Sequence, residues 1–222
     1  MATRPAKCCK ACDYSLQVLG ECHFLKSILP YTAPLNAKNR TLTRMPLLRS
    51  SRDSDVAAIA AIYAHHVLHG TGTFETEPPS DADMASRRAD VLAKGLPYLV
   101  AEQDGEILGF AYGNWFKPRP AYRYSVEDSV YLAPGLQGQG LGRALLAELL
   151  TRCEAAGIRK VMAIIGDSAN AGSVGLHRAL GFTQVGIVEA CGWKFGAWRD
   201  IVIMQKTLGT GSVEPPDGTG TP

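Results

Sequence analysis

The densest run of chemically suggestive residues is Tyr131 to Arg143, which reads YLAPGLQGQGLGR. A strand there ends at Pro134, and Gln137, Gly138, Gln139, Gly140, Leu141 and Gly142 lead into a helix. Glycines let backbone N–H groups converge with no Cβ in the way, and a helix N-terminus adds partial positive charge. Together they suit a phosphate or diphosphate. A Walker loop needs Lys and then Ser or Thr after its last glycine, but Arg143 and Ala144 follow Gly142. A dinucleotide fingerprint needs G-x-G-x-x-G, but Gly138, Gly140 and Gly142 run G-x-G-x-G. A plain tight turn is the remaining reading of the glycines by themselves.

Two titratable residues stand out nearby in the chain. Glu127 lies on a mostly apolar strand, where a carboxylate is unfavourable unless it is partnered or used. A salt bridge across the sheet is the plainer alternative. His177 sits on a helix, where a lone histidine is commonly structural, yet imidazole exchanges protons near neutral pH. His65 and His69 share a helix face as in H-E-x-x-H zinc enzymes, but His66 stands where the glutamate would be. Three histidines near a helix C-terminus are explained by its dipole, and no metal is expected.

The elements that hold these residues alternate. Pro46–Ser50 reads as a short strand, and Val56, Ile59, Ala60, Tyr63 and Val67 recur at helical spacing from Asp55 to His69. A loop with Gly70, Gly72, Pro78 and Pro79 precedes a second helix, Ser80–Lys94. Leu96–Glu102 and Ile107–Asn114 read as strands hinged on Asp104-Gly105, and Tyr124–Leu132 as a third. Then come a helix over Gly138–Glu154, a buried strand Val161–Ile165, a helix Ala171–Leu180, and strands Gln184–Val188 and Ile201–Leu208. The predicted class is mixed α/β, with an antiparallel front and a strand–helix–strand–helix–strand rear.

Composition bounds the rest. The 222 residues are 46% hydrophobic and 20% charged, as in a soluble globular protein, and no run of ~18 apolar residues suggests a membrane span. Residues 1–44 carry seven Lys and Arg against two Asp and Glu, which leaves the remainder at −3 and gives no nucleic-acid signal. Residues 1–44 are expected to be an unstructured extension, an upstream start or a targeting segment. Cys9 and Cys12, with adjacent Cys22 and His23, lack the second spaced pair a zinc site needs. The domain is expected over 45–208, and the Gly-, Pro- and Thr-rich tail 209–222 is expected to be disordered. Few body cysteines point to a cytoplasmic protein.

One pattern fits where the two nucleotide motifs fail. Gln137-x-x-Gly140-x-Gly142 resembles the acyl-coenzyme A loop of the GNAT N-acyltransferase superfamily. The strand Tyr124–Leu132 (YSVEDSVYL) resembles the one before that loop in phosphinothricin and methionine sulfoximine or sulfone acetyltransferases. So do Asn170-x-x-Ser173, Leu176-His177-x-x-Leu180-Gly181-Phe182 and Gly192-Trp193-Lys194-Phe195-Gly196-x-Trp198-x-Asp200. The resemblance spans residues 46–208 and implies a GNAT fold, a mixed twisted sheet with flanking helices.

It also implies roles. The pantetheine arm of acetyl-CoA would pair with Val130, Tyr131 and Leu132, and its diphosphate with Gln137 through Arg143, namely Gln137, Gly138, Gln139, Gly140, Leu141, Gly142 and Arg143. Asn170 and Ser173 would meet the arm near sulfur. Glu127 would be the general base and anchor the substrate ammonium, and His177 would protonate the departing thiolate. Phe74, Glu75, Asp128, Ser129 and the loop with Lys117, Arg119, Pro120, Ala121 and Tyr122 would surround a small amino acid acceptor. Trp193, Lys194, Trp198 and Asp200 could line a dimer-side wall, although buried-core tryptophans are the default. A homodimer with a detoxifying, herbicide-resistance role is implied. A non-catalytic acyl-CoA sensor, or an enzyme acetylating peptide N-termini, is the alternative.

Overall fold

The computed structural model describes residues 41, 42 and 44–216. The expected extension 1–44 therefore lies almost entirely outside the described residues. In chain order the elements are β1 (Leu47–Ser50), α1 (Val56–His69), α2 (Asp81–Ala93), β2 (Tyr98–Gln103) and β3 (Glu106–Trp115). They continue with β4 (Ser125–Leu132), α3 (Leu141–Ala155), β5 (Lys160–Gly166), α4 (Ala171–Ala179), β6 (Thr183–Lys194) and β7 (Ala197–Thr207).

The seven strands among the described residues form one sheet in the order β1-β2-β3-β4-β5-β7-β6. Only β4 and β5 are parallel, so the rear of the sheet is less parallel than the alternating pattern predicts. A parallel pair needs a crossover, and α3 supplies it. Leu141, Leu145 and Leu149 recur every fourth residue and are fully buried against the sheet face that carries Val126 and Leu132. Each buried leucine contributes about 1.5–3 kcal/mol. Gly109 on β3 admits this close packing, since a Cβ there would stand 2.8 Å from Leu132 and 3.2 Å from Leu145. The opposite face takes α1, whose Tyr63 ring meets Tyr131 edge-on with centroids 5.1 Å apart. Beside α1 lies α2, opened by a reciprocal cap between Ser80 and Asp83.

The structure differs from the sequence expectation at three places. Helix α3 begins at Leu141 and not Gly138, because Gly138 and Gly140 take left-handed φ of 76° and 83°. Strands β6 and β7 form one long hairpin that runs through residues 189–200, between the two shorter strands expected over Gln184–Val188 and Ile201–Leu208. Gly192 is in fact a packing residue, since a Cβ on it would collide with the ring of Phe74. The described part of the tail, 209–216, starts as a turn in which Gly211 donates to the Leu208 carbonyl and Arg159 reaches the Thr210 hydroxyl.

Leu145→Ala should lower unfolding free energy by about 2–5 kcal/mol through lost burial and a cavity. Truncating the half-exposed Leu68 should change it by less than ~0.5 kcal/mol. Urea titration of both variants measures the difference.

Candidate active site

The site begins where the sheet splits. Strands β4 and β5 pair over three positions only, Ser125 with Lys160, Val126 with Val161 and Glu127 with Met162. Beyond these, β5 stays with β7 as far as Gly166 opposite Ile201, while β4 stays with β3 as far as Leu132 opposite Gly109. Between them opens a cavity of about 950 Å³ that reaches both faces of the sheet. Its size falls within the usual range for small-molecule sites.

The alternation of an antiparallel pair decides which groups of β4 face this opening. The Ser125 carbonyl accepts from Phe116 N–H at 3.0 Å, and Ala133 N–H donates to the Leu108 carbonyl at 2.9 Å. Odd-numbered residues therefore bond β3, and the main chains of Val130 and Leu132 face the cavity. The Leu132 carbonyl takes the His66 Nε2–H at 2.8 Å. Burial pushes the His66 pKa down, so this imidazole is neutral and donates through Nε2. The main-chain role expected for Tyr131 is corrected. Its amide pairs with Phe110 on β3, and only its ring borders the cavity.

At the far end, Gly138, Gly140, Gly142 and Arg143 line the cavity. Gly140 is the N-cap of the fifteen-residue α3 and supplies no side-chain cap. The N–H groups of Leu141, Gly142 and Arg143 thus stand free at the positive end of the helix dipole. Leu141 contributes main chain only, because its side chain is buried in the core. Gln139 does not line the cavity. Its Oε1 accepts from Leu42 N–H at 2.7 Å and its Nε2 donates to the Gly135 carbonyl. Asn170 and Ser173 do line it, at the start of α4, where Asn170 Oδ1 caps the Ser173 N–H at 3.1 Å.

Glu127 reaches the cavity from the α1 face of β4. It makes no hydrogen bond or ion pair to another described residue. Burial pushes its pKa up, the neighbouring Asp128 charge adds to that, and Lys117 opposes it. An unpaired, desolvated carboxylate with a raised pKa is poised to take a proton near neutral pH. Ser129, Tyr63, Tyr112 and Phe74 share its side of the cavity. The tyrosines escaped sequence reading because their positions look like ordinary core.

Residues 70–75 cross over the end of β5, held there by contacts from Gly166, Lys194, Tyr63 and Arg87. Gly166 leaves room for the Thr71 carbonyl, which a Cβ would strike. Lys194, itself buried, donates from Nζ to the Thr73 carbonyl at 2.7 Å. Tyr63 bonds the Thr73 hydroxyl at 3.0 Å and donates to Glu75 at 2.9 Å. Arg87 also donates to Glu75, at 2.6 Å, so Glu75 braces this segment from outside the cavity.

On the other face of β4, Asp128 and His177 form a buried pair. His177 Nε2 lies 3.0 Å from Asp128 Oδ2, and His177 Nδ1 lies 2.7 Å from the Ser173 carbonyl. Their side chains are 5% and 2% exposed, too little for water to stand in for either partner. Both line the cavity. Asp128 is therefore a partner of His177, where sequence reasoning placed it against the acceptor; an adjacent Glu and Asp give no hint of this.

Other expected residues lie elsewhere. Lys117, Arg119, Pro120, Ala121 and Tyr122 are exposed on the loop between β3 and β4, and none lines the cavity of this chain. Lys117 acts there only through its charge on Glu127. Trp193 and Trp198 are 58% and 63% exposed, which overturns the core default, and they meet each other edge-on at 5.4 Å. Asp200 takes hydrogen bonds from the Ser168 hydroxyl and Ala190 N–H. His65 and His69 pack together at 4.9 Å, apart from the half-buried His66 bond.

The acetyltransferase (GNAT) family profile matches residues 52–182. A phosphinothricin N-acetyltransferase of Alcaligenes faecalis is 52% identical over 170 residues, covering 77% of this chain and 86% of that protein. An L-methionine sulfoximine/L-methionine sulfone acetyltransferase of Salmonella typhimurium is 40% identical, covering 72% and 94%. The crystal structure of a GNAT superfamily phosphinothricin acetyltransferase from Sinorhizobium meliloti in complex with acetyl-CoA superposes with a TM-score of 0.77 at 43% identity. It covers 79% of this chain and 95% of that one.

If Glu127 is the proton acceptor, turnover must fall as pH drops through its pKa, which lies above the ordinary glutamate range. Glu127→Gln should lower kcat about 10²–10⁴-fold and abolish that acid limb. Steady-state rates across pH 5–9, on the order of the range needed to bracket a raised carboxylate, supply the check.

Proposed function

The chain belongs to the acetyltransferase (GNAT) family, and on that premise we propose that it transfers the acetyl group of acetyl-CoA to the α-amino group of a small amino acid analogue. Phosphinothricin, methionine sulfoximine and methionine sulfone are the acceptors that its relatives' names suggest. The observation that carries this reading is the unpaired, desolvated Glu127 beside the open edge of β4, with a glycine-built helix terminus at the other end of the same cavity.

The free N–H groups at the start of α3 suit a diphosphate, with Arg143 adding charge. The Val130 and Leu132 main chains suit an extended arm added alongside β4, and an N–H there can polarise a thioester carbonyl. Glu127 takes the proton of the acceptor amine, which then attacks that carbonyl in a ternary complex. The C–N bond forms, the C–S bond breaks, and coenzyme A leaves as thiolate to be protonated by His177. A sensor that only bound acyl-CoA would have no use for a half-buried carboxylate without a partner. The acceptor's acidic end lies toward Lys117, the cation whose charge reaches Glu127.

The catalytic unit in this reading is 45–208, working in the cytoplasm, where acetyl-CoA is available, with a detoxifying role toward such analogues. It works as a homodimer. Strand β6 is a sheet edge, and the hairpin exposes Val185, Ile187, Trp193, Phe195 and Trp198. Apolar side chains grouped along an open edge call for a partner, and a second copy supplies a matching edge.

Release of free thiol from acetyl-CoA, followed over amino acids and their phosphinate, sulfoximine and sulfone analogues, tests the function. Turnover should be greatest with the analogues; no release with any of them overturns the reading. Light scattering should give about twice the 23.8 kDa chain mass, falling to that of one chain when Trp193 and Trp198 are both changed to Ser.

A further inference from the structure

The two nitrogens of His177 both point at acceptors. Nδ1 faces the Ser173 carbonyl at 2.7 Å, which has no proton to offer, while the Ser173 hydroxyl stands farther off at 3.5 Å, beyond the reach of a competing hydrogen bond. Nε2 faces Asp128 Oδ2 at 3.0 Å, inside the protein. A neutral imidazole has a single N–H and would satisfy one of these and repel the other. Two N–H groups satisfy both. Asp128 is equally committed, because Oδ1 has no partner and Oδ2 has only this histidine. Removing the shared proton would leave a buried carboxylate facing a bare nitrogen lone pair, with nothing else to compensate its charge.

We propose that Asp128 is a positioning residue that keeps His177 doubly protonated, so that His177 acts in each turnover only as a proton donor to the departing thiolate. The inference rests on the acetyl-transfer reading for its last clause and on the buried geometry for the rest. When the C–S bond breaks, its electron pair stays on sulfur and the sulfur takes one proton of the doubly protonated ring. The amine sheds its protons through Glu127, and His177 takes one back from water, drawn by Asp128. One proton is released overall.

The surroundings of His177 agree. Burial alone would lower its pKa, but the hydrogen bond and charge of Asp128, helped by the Ser173 carbonyl, outweigh that and raise it. The ring of Phe182 stands perpendicular to the imidazole at 4.9 Å and adds no charge. Behind Asp128, the Cys153 thiol of α3 is pushed up to about 12 by burial and by Asp128, so it stays neutral. Glu127 is on the opposite face of β4. Asp128 is thus the group that decides the charge state of His177.

The test is an NMR titration of the ¹⁵N-histidine-labelled full chain, with His177 assigned by its absence in His177→Gln. In the unaltered protein both ring nitrogens should read as protonated at neutral pH, and the proton should be lost only above the usual histidine range. Asp128→Asn should move that loss down by at least about one pH unit. The alkaline limb of kcat/KM should move the same way, with less change at low pH. A singly protonated His177 in the unaltered protein at neutral pH overturns the proposal, and that measurement needs no variant to fold. So does a titration that Asp128→Asn leaves in place. Because no acetyl acceptor is present in the titration, its failure is distinct from failure of the thiol-release panel.

Discussion

Main-chain amides that lose their strand partner must find another donor or acceptor, and in this protein that requirement falls on β4. From Asp128 to Leu132 one edge of the strand has no neighbour, because β5 has turned away with β7. An unmet buried backbone group is unfavourable by about 1–3 kcal/mol, so such an edge stays open only if solvent or a ligand reaches it. The fork is therefore a binding site before any side chain is considered. One carbonyl, that of Leu132, is satisfied internally by His66, which leaves the Val130 pair and the Leu132 N–H to whatever enters.

The side chains of β4 then divide the labour by their alternation. Glu127 and Asp128 are consecutive, so they point to opposite faces of the sheet. One carboxylate has no partner and is held back from ionising; the other is locked to a histidine. The same residue chemistry thus yields an unpaired carboxylate of raised pKa on the α1 side and a histidine-bonded carboxylate on the α4 side. Separating the two is the sheet itself, and joining them is the cavity that passes through its split.

Most of the architecture was legible in the chain because its strong periodicities are real. The leucines of α3, the Asp104-Gly105 hinge and the apolar run at β5 all give elements close to their expected bounds. What was not legible depends on contacts between distant segments. Gly192 falls beyond the expected strand Gln184–Val188, yet it lies within β6 and makes room for Phe74, 118 positions earlier in the chain. Trp193 and Trp198 look like core by composition alone, but they sit on an outer hairpin where a strand's two faces are not equivalent. Of the site, Glu127, His177 and the glycines stood out by type and spacing, their roles were suggested by the family resemblance, and all of them line one cavity. The Asp128 pairing was hidden because neighbouring acids carry no sign of what the other face of a strand will meet. The loop from Lys117 to Tyr122 was expected at the acceptor because its charges suit an acidic group; in this chain it stands outside the cavity, at the outer end of the β3–β4 connection, and only the charge of Lys117 reaches Glu127.

The way residues 70–75 are seated bears on how this scaffold could be re-engineered. Their path exists because Gly166 and Gly192, on two different strands, each vacate the volume that Thr71 and Phe74 fill. A loop graft that changed acceptor preference would therefore not be modular. A slimmer residue at 74 would leave a void against β6, and a bulkier one would find no space unless the strand gave way. Directed evolution of this enzyme should accordingly vary the loop and the two glycine-bearing strands as a single linked library.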